Sequence, residues 1–84
     1  MIFKLKQGFI TQKKGDQTTL FNGEKSILYT FNETASFMFE QIKKGADEEE
    51  IIRLIVKKYN IELKTAKSDF IELISDLKKK KIIS

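Results

Sequence analysis

The hydrophobic pattern of the chain changes period at Phe31-Asn32-Glu33-Thr34-Ala35, and that change commits the sequence to a β half followed by an α half. Upstream, Ser26-Ile27-Leu28-Tyr29-Thr30-Phe31 is rich in β-branched and aromatic residues, and its alternation puts Ile27, Tyr29 and Phe31 on one face of a strand. Downstream, Ala35, Met38, Phe39 and Ile42 recur at helical spacing. Asn32 stands between the two as an N-cap. Its side-chain oxygen can accept from a backbone N–H of the first turn, and Glu33 sets negative charge against the positive end of the helix dipole.

Read outward from that junction, the β half contains a first strand at Phe9-Ile10-Thr11-Gln12-Lys13, a turn at Gly15-Asp16 and a second strand at Thr18-Thr19-Leu20-Phe21. Asn22-Gly23 then predicts a two-residue type I′ hairpin turn, since both central residues of such a turn need positive φ. The third strand is placed at Lys25 to Thr30. Met1 to Lys6 alternates apolar and basic residues, as a short edge strand or lead-in would. In the α half, Lys43-Lys44-Gly45 ends the first helix. Asp47, with Glu50 three residues on, opens a second helix whose Ile51, Ile52, Leu54, Ile55, Val56 and Tyr59 predict packing on several sides. A third helix is expected from about Lys64 to Lys80, with Ala66, Phe70, Leu73 and Leu77 as its core stripe. The expected fold class is α+β: a winged-helix-like domain over residues 1–84, with a three-stranded antiparallel β-meander followed by a three-helix bundle.

Composition narrows the chemistry. The 84 residues include neither cysteine nor histidine, which removes the thiolate nucleophile, the commonest general base and the commonest neutral metal ligand. The acidic run Asp47 to Glu50 reads as a charged first helical turn rather than a metal site, because hard cations need six or more converging oxygens. No catalytic residue, metal or cofactor is therefore assigned. The absence of cysteine suits a reducing compartment or one where redox chemistry is irrelevant, and no apolar run approaches the ~20 residues that span a bilayer, so a cytoplasmic location away from membranes is expected. Sixteen basic and twelve acidic residues leave a net charge of +4, a bias toward acidic partners that falls short of a polybasic surface.

Two features suggest binding. A three-stranded open sheet has two edges, and an unpaired edge is a template for another strand. The third strand, Lys25-Ser26-Ile27-Leu28-Tyr29-Thr30, contains no proline, and its only lysine stands at its start. On the third helix, at roughly 100° per residue, Asp69, Glu72 and Asp76 line one flank of the core stripe. The other flank gathers Lys64, Lys67, Ile71, Ile74 and Lys78, aliphatic side chains beside lysine stems that would suit an amphipathic acidic peptide. A plainer reading is that Ile71 and Ile74 widen the core stripe while the lysines solvate its rim.

From about Leu28 to Ile83 the order of motifs resembles the PqqD-like family, the RiPP recognition elements. The resemblance rests on Tyr29-Thr30-Phe31-Asn32-Glu33-Thr34-Ala35, Phe39, Gly45, Glu49-Glu50-Ile51, Tyr59, Ser68-Asp69-Phe70 and the stretch from Leu77 to Ile82-Ile83. Phe31 replaces the family's usual Leu, Phe39 a frequent Trp and Lys81 a common Gly. The Pro-Glu signature of the quinone-pathway members is missing, so the chain looks more like a discrete recognition protein of a lasso-peptide or other radical-SAM-linked pathway. The resemblance implies a non-catalytic adaptor that takes up the leader of a ribosomally made precursor peptide as an added strand along Lys25 to Thr30, against the third helix. A separate modifying enzyme or leader peptidase would act on the captured precursor. The alternative from the same fold class is a DNA-binding winged-helix regulator. The third helix offers it lysines but no Arg or Asn for bidentate base reading, which argues against nucleic acid.

Overall fold

In the computed structural model, which describes residues 8–23 and 27–83, three strands precede three helices. They are β1 (Ile10–Lys14), β2 (Gln17–Asn22), β3 (Ile27–Phe31), α1 (Glu33–Lys43), α2 (Glu48–Tyr59) and α3 (Leu63–Lys79). Both strand pairs are antiparallel and β2 is central, so the expected meander forms. The lead-in expected at Met1 to Lys6 lies outside the described residues, as do Lys25, Ser26 and the side chain of Ile27.

Alternation along the strands sorts the sheet into two faces. Thr18, Leu20 and Phe31 are buried on the inner face, where Phe31 stacks on Phe39 of α1 with ring centroids 4.9 Å apart. On the outer face Ile10, Phe21 and Leu28 are paired in register across all three strands and remain exposed. The inner side of β1 is polar and held to α1 from the rim: Lys43 Nζ donates to Thr11 Oγ1 at 3.0 Å, and Lys13 pairs with Glu40 at 3.3 Å. An exposed pair of this kind contributes at most about 1 kcal/mol.

The expected turn at Asn22-Gly23 is not the one observed. Asn22 is a strand residue paired with Ile27, so four positions separate the paired residues where a two-residue turn was expected. Its place in the alternation explains the outcome: it follows Thr18 and Leu20 on the inner face and is buried, so the position serves packing rather than a reversal of the chain. Gly8 accommodates it. A Cβ on Gly8, whose φ is +92°, would stand only 3.2 Å from Asn22 Nδ2.

Two of the three helices start at side-chain caps, whereas Glu62 before α3 makes no such bond. Asn32 Oδ1 accepts from the Ala35 N–H at 2.9 Å, and Asp47 Oδ1 accepts from the Glu50 N–H at 3.0 Å. Ser36 in the first turn of α1 ties the helix to β2 and β3, accepting from the Thr18 N–H at 2.9 Å and donating to the Phe31 carbonyl at 3.3 Å. Each helix is followed by a left-handed residue: Gly45, Asn60 and Lys81, with φ of 90°, 52° and 59°. After α3 the Ile82 N–H reaches the Leu77 carbonyl at 2.8 Å and the Lys81 N–H the Lys78 carbonyl at 3.1 Å, the paired bonds of a Schellman turn. That turn folds Ile82 and Ile83 back into the core. The expected stripe of Ala66, Phe70, Leu73 and Leu77 is buried. Helix α2 packs on both α1 and α3, with Ile51, Ile52 and Ile55 buried and Leu54 and Val56 only half-buried, so its outer side meets solvent.

Candidate functional site: a cleft between the third strand and the third helix

Strand β3 is an edge strand, with β2 on one side and no strand on the other among the described residues. Beside that free edge lies a cleft of about 260 Å³. Tyr29, Thr30 and Phe31 form its strand side, and Asn32, Thr34, Ala35 and Met38 carry the lining through the helix cap into α1. Its far wall is α3, through Asp69, Glu72, Leu73 and Asp76. The N-cap that turns the chain from β3 into α1 thus also sets the angle between strand edge and floor.

One contact bridges the cleft. The Tyr29 hydroxyl donates to Asp76 Oδ2 at 3.4 Å, and Lys80 Nζ sits 5.2 Å from the centroid of the Tyr29 ring. Burial, then the Asp76 carboxylate and its hydrogen bond, then Glu72, hold the Tyr29 phenol above its usual range. Within the described residues no group of acidic side chains is arranged to hold a metal ion, and no helix is long and apolar enough to cross a membrane.

Tyr29 and Thr30 line this cleft, whereas Leu28 points from the outer face and is 68% exposed. Lys25, Ser26 and the side chain of Ile27 fall outside the described residues. The flank of α3 read from the sequence as the binding strip does not meet β3. Ile74 is a core residue, Ile71 is 63% exposed, and Lys64 and Lys78 are exposed. Lys67 instead shares a shallow depression with Leu63 and with Glu48, Glu49, Ile52, Arg53 and Val56 of α2. The helical wheel accounts for the difference: Lys64, Lys67, Ile71 and Lys78 lie roughly 140° from the cleft-facing carboxylates, on the other side of the buried stripe. A core stripe tells which way a helix faces inward and leaves open which flank meets which neighbour. With α2 packed on the lysine flank, β3 is left to the acidic one. The floor contributed by Ala35 and Met38 was visible only as helix core.

A β-meander on three helices with an open strand edge over a cleft is a winged-helix-like architecture suited to taking up an extended chain. The chain belongs to the PqqD family: the family described as coenzyme PQQ synthesis protein D (PqqD) matches residues 17–83. Two solved structures share its fold. One is described as TbiB1 in complex with the TbiA(beta) leader peptide, with 17% identity, 96% of this chain and 94% of that one covered, and a TM-score of 0.90. The other is a lasso peptide synthetase B1 complexed with the leader peptide, with 18% identity, 100% and 99% covered, and a TM-score of 0.91. No curated protein matches by sequence.

Proposed function

We propose that the protein is a leader-peptide-binding adaptor. It captures a ribosomally synthesised precursor by adding the leader as a strand to the free edge of β3, and presents it to a separate modifying enzyme or leader peptidase. The observation that carries this reading is the β3 edge, unpaired among the described residues, opening onto the cleft against α3, in a chain of the PqqD family. Backbone hydrogen bonds along β3 supply affinity, and the cleft reads every second leader side chain. The adaptor itself does no chemistry and needs no cofactor. Holding the precursor near an enzyme raises the effective concentration of one for the other. The two neighbours, both leader-peptide complexes, support the same reading, whereas the DNA-binding alternative gains nothing from family or cleft.

Fluorescence anisotropy with the labelled leader segment of the precursor encoded beside this gene tests the proposal. Saturable binding is expected, and single backbone N-methylation along the leader should weaken it with a period of two, because alternate N–H groups of an added strand face β3. Absence of binding, or a loss with no such period, would overturn strand addition.

A further inference from the structure

The cleft has a sign, and it opposes that of the chain. Although the net charge is +4, the wall formed by α3 presents Asp69, Glu72 and Asp76, and among the described residues no lysine or arginine lines the cleft. Lys80 lies beside it, over the Tyr29 ring rather than among the carboxylates. Three carboxylates on a helix flank would by themselves be a solvated face. Here they stand above an apolar floor of Ala35, Met38 and Leu73 and beside a strand edge unpaired among the described residues, so whatever occupies that edge must meet both surfaces. They are not arranged as a metal site.

A side chain entering such a cleft must satisfy two environments. A purely aliphatic one would cover the floor and desolvate carboxylates that gain no partner, which is unfavourable. An acidic one would add like charge. A long side chain with an apolar stem and a cationic head meets both requirements, its methylenes on the floor and its head among the acids.

Building on the leader-peptide reading, we propose that the leader strand places a lysine or arginine in the cleft, its stem on Ala35, Met38 and Leu73 and its charge paired with Asp69, Glu72 and Asp76. Specificity then arises from local charge at alternate positions of an otherwise sequence-tolerant strand. Burial is the largest cause of the raised Tyr29 phenol, and Asp76 and then Glu72 add to it in the sense that an acidic cleft requires.

The test uses the full chain and the fluorescein-labelled leader segment of the adjacent precursor gene. Glu72 is exposed, so Glu72→Lys should melt like the wild type while weakening leader binding about tenfold. The loss should shrink as salt is raised from about 0.05 to 0.5 M, because screening weakens the interaction. Replacing the leader's cleft-facing Lys or Arg by Gln should cost a similar factor, and by Glu should restore binding to the Glu72→Lys protein. Equal binding by wild type and Glu72→Lys, or tight binding by a leader lacking Lys and Arg, would overturn the charge assignment and leave the adaptor reading standing. A leader that binds neither protein would overturn both.

Discussion

Lys81 holds a left-handed backbone, φ 59°, that costs a residue with a Cβ about 1–2 kcal/mol. The same turn after α1 is made by Gly45, and α2 ends on Asn60, the side-chain-bearing type best suited to such a position. The strain at Lys81 persists because the turn it closes returns Ile82 and Ile83 to the core. Lys81→Gly should therefore raise stability by about 0.5–1 kcal/mol, after allowing for the greater freedom of Gly in the unfolded chain. Urea denaturation of the two proteins measures this, and an unchanged midpoint would mean that the turn relaxes in solution. Substitution of a Lys for the family's common Gly was visible in the sequence, but whether the turn would survive it was not. Asn22 carries the opposite lesson. Its pairing with Gly23 signals a tight turn, yet its parity with Leu20 puts it on the buried face, and burial decided.

At the scale of elements, the strands and helices were legible because their periods are distinct and the caps of α1 and α2 explicit: Asn32 and Asp47 accept the hydrogen bonds their positions predicted. The assignment of flanks was not legible. Ala66, Phe70, Leu73 and Leu77 orient α3 toward the core, but it takes the packing of α2 against the lysine side and the Tyr29–Asp76 contact to show that the acidic side faces β3. The neighbouring pair Ile71 and Ile74 makes the distinction measurable. Ile74→Ala should destabilise by roughly 2–4 kcal/mol as a core truncation, whereas exposed Ile71→Ala should stay within about 0.5 kcal/mol of wild type. Thermal and urea unfolding of both variants would decide it. Comparable losses would place Ile71 in the core and require α3 to be rotated.

For the molecule as a whole, charge and shape act at different ranges. The excess of lysines attracts acidic partners from a distance, an attraction confined to about a Debye length of ~8 Å at physiological salt, while the cleft applies its own preference at contact. The outer face of the sheet adds a third influence, the row Ile10, Phe21 and Leu28 that runs up to the free strand. Within Ile27–Phe31 there is neither a charge nor a proline, two devices that commonly keep sheet edges apart. A second copy of the chain can use that edge by the same backbone chemistry as a peptide, so vacancy and self-association are linked. Light scattering on the purified protein should show oligomers growing with concentration and dissolving as the leader segment is added, by mass action. A strict monomer across the concentration range would show that Lys residues and net charge keep the copies apart unaided. Under the proposed function, the precursor would then guard the colloidal stability of the protein that receives it, and a cell making that protein without its peptide would accumulate the material most prone to clump.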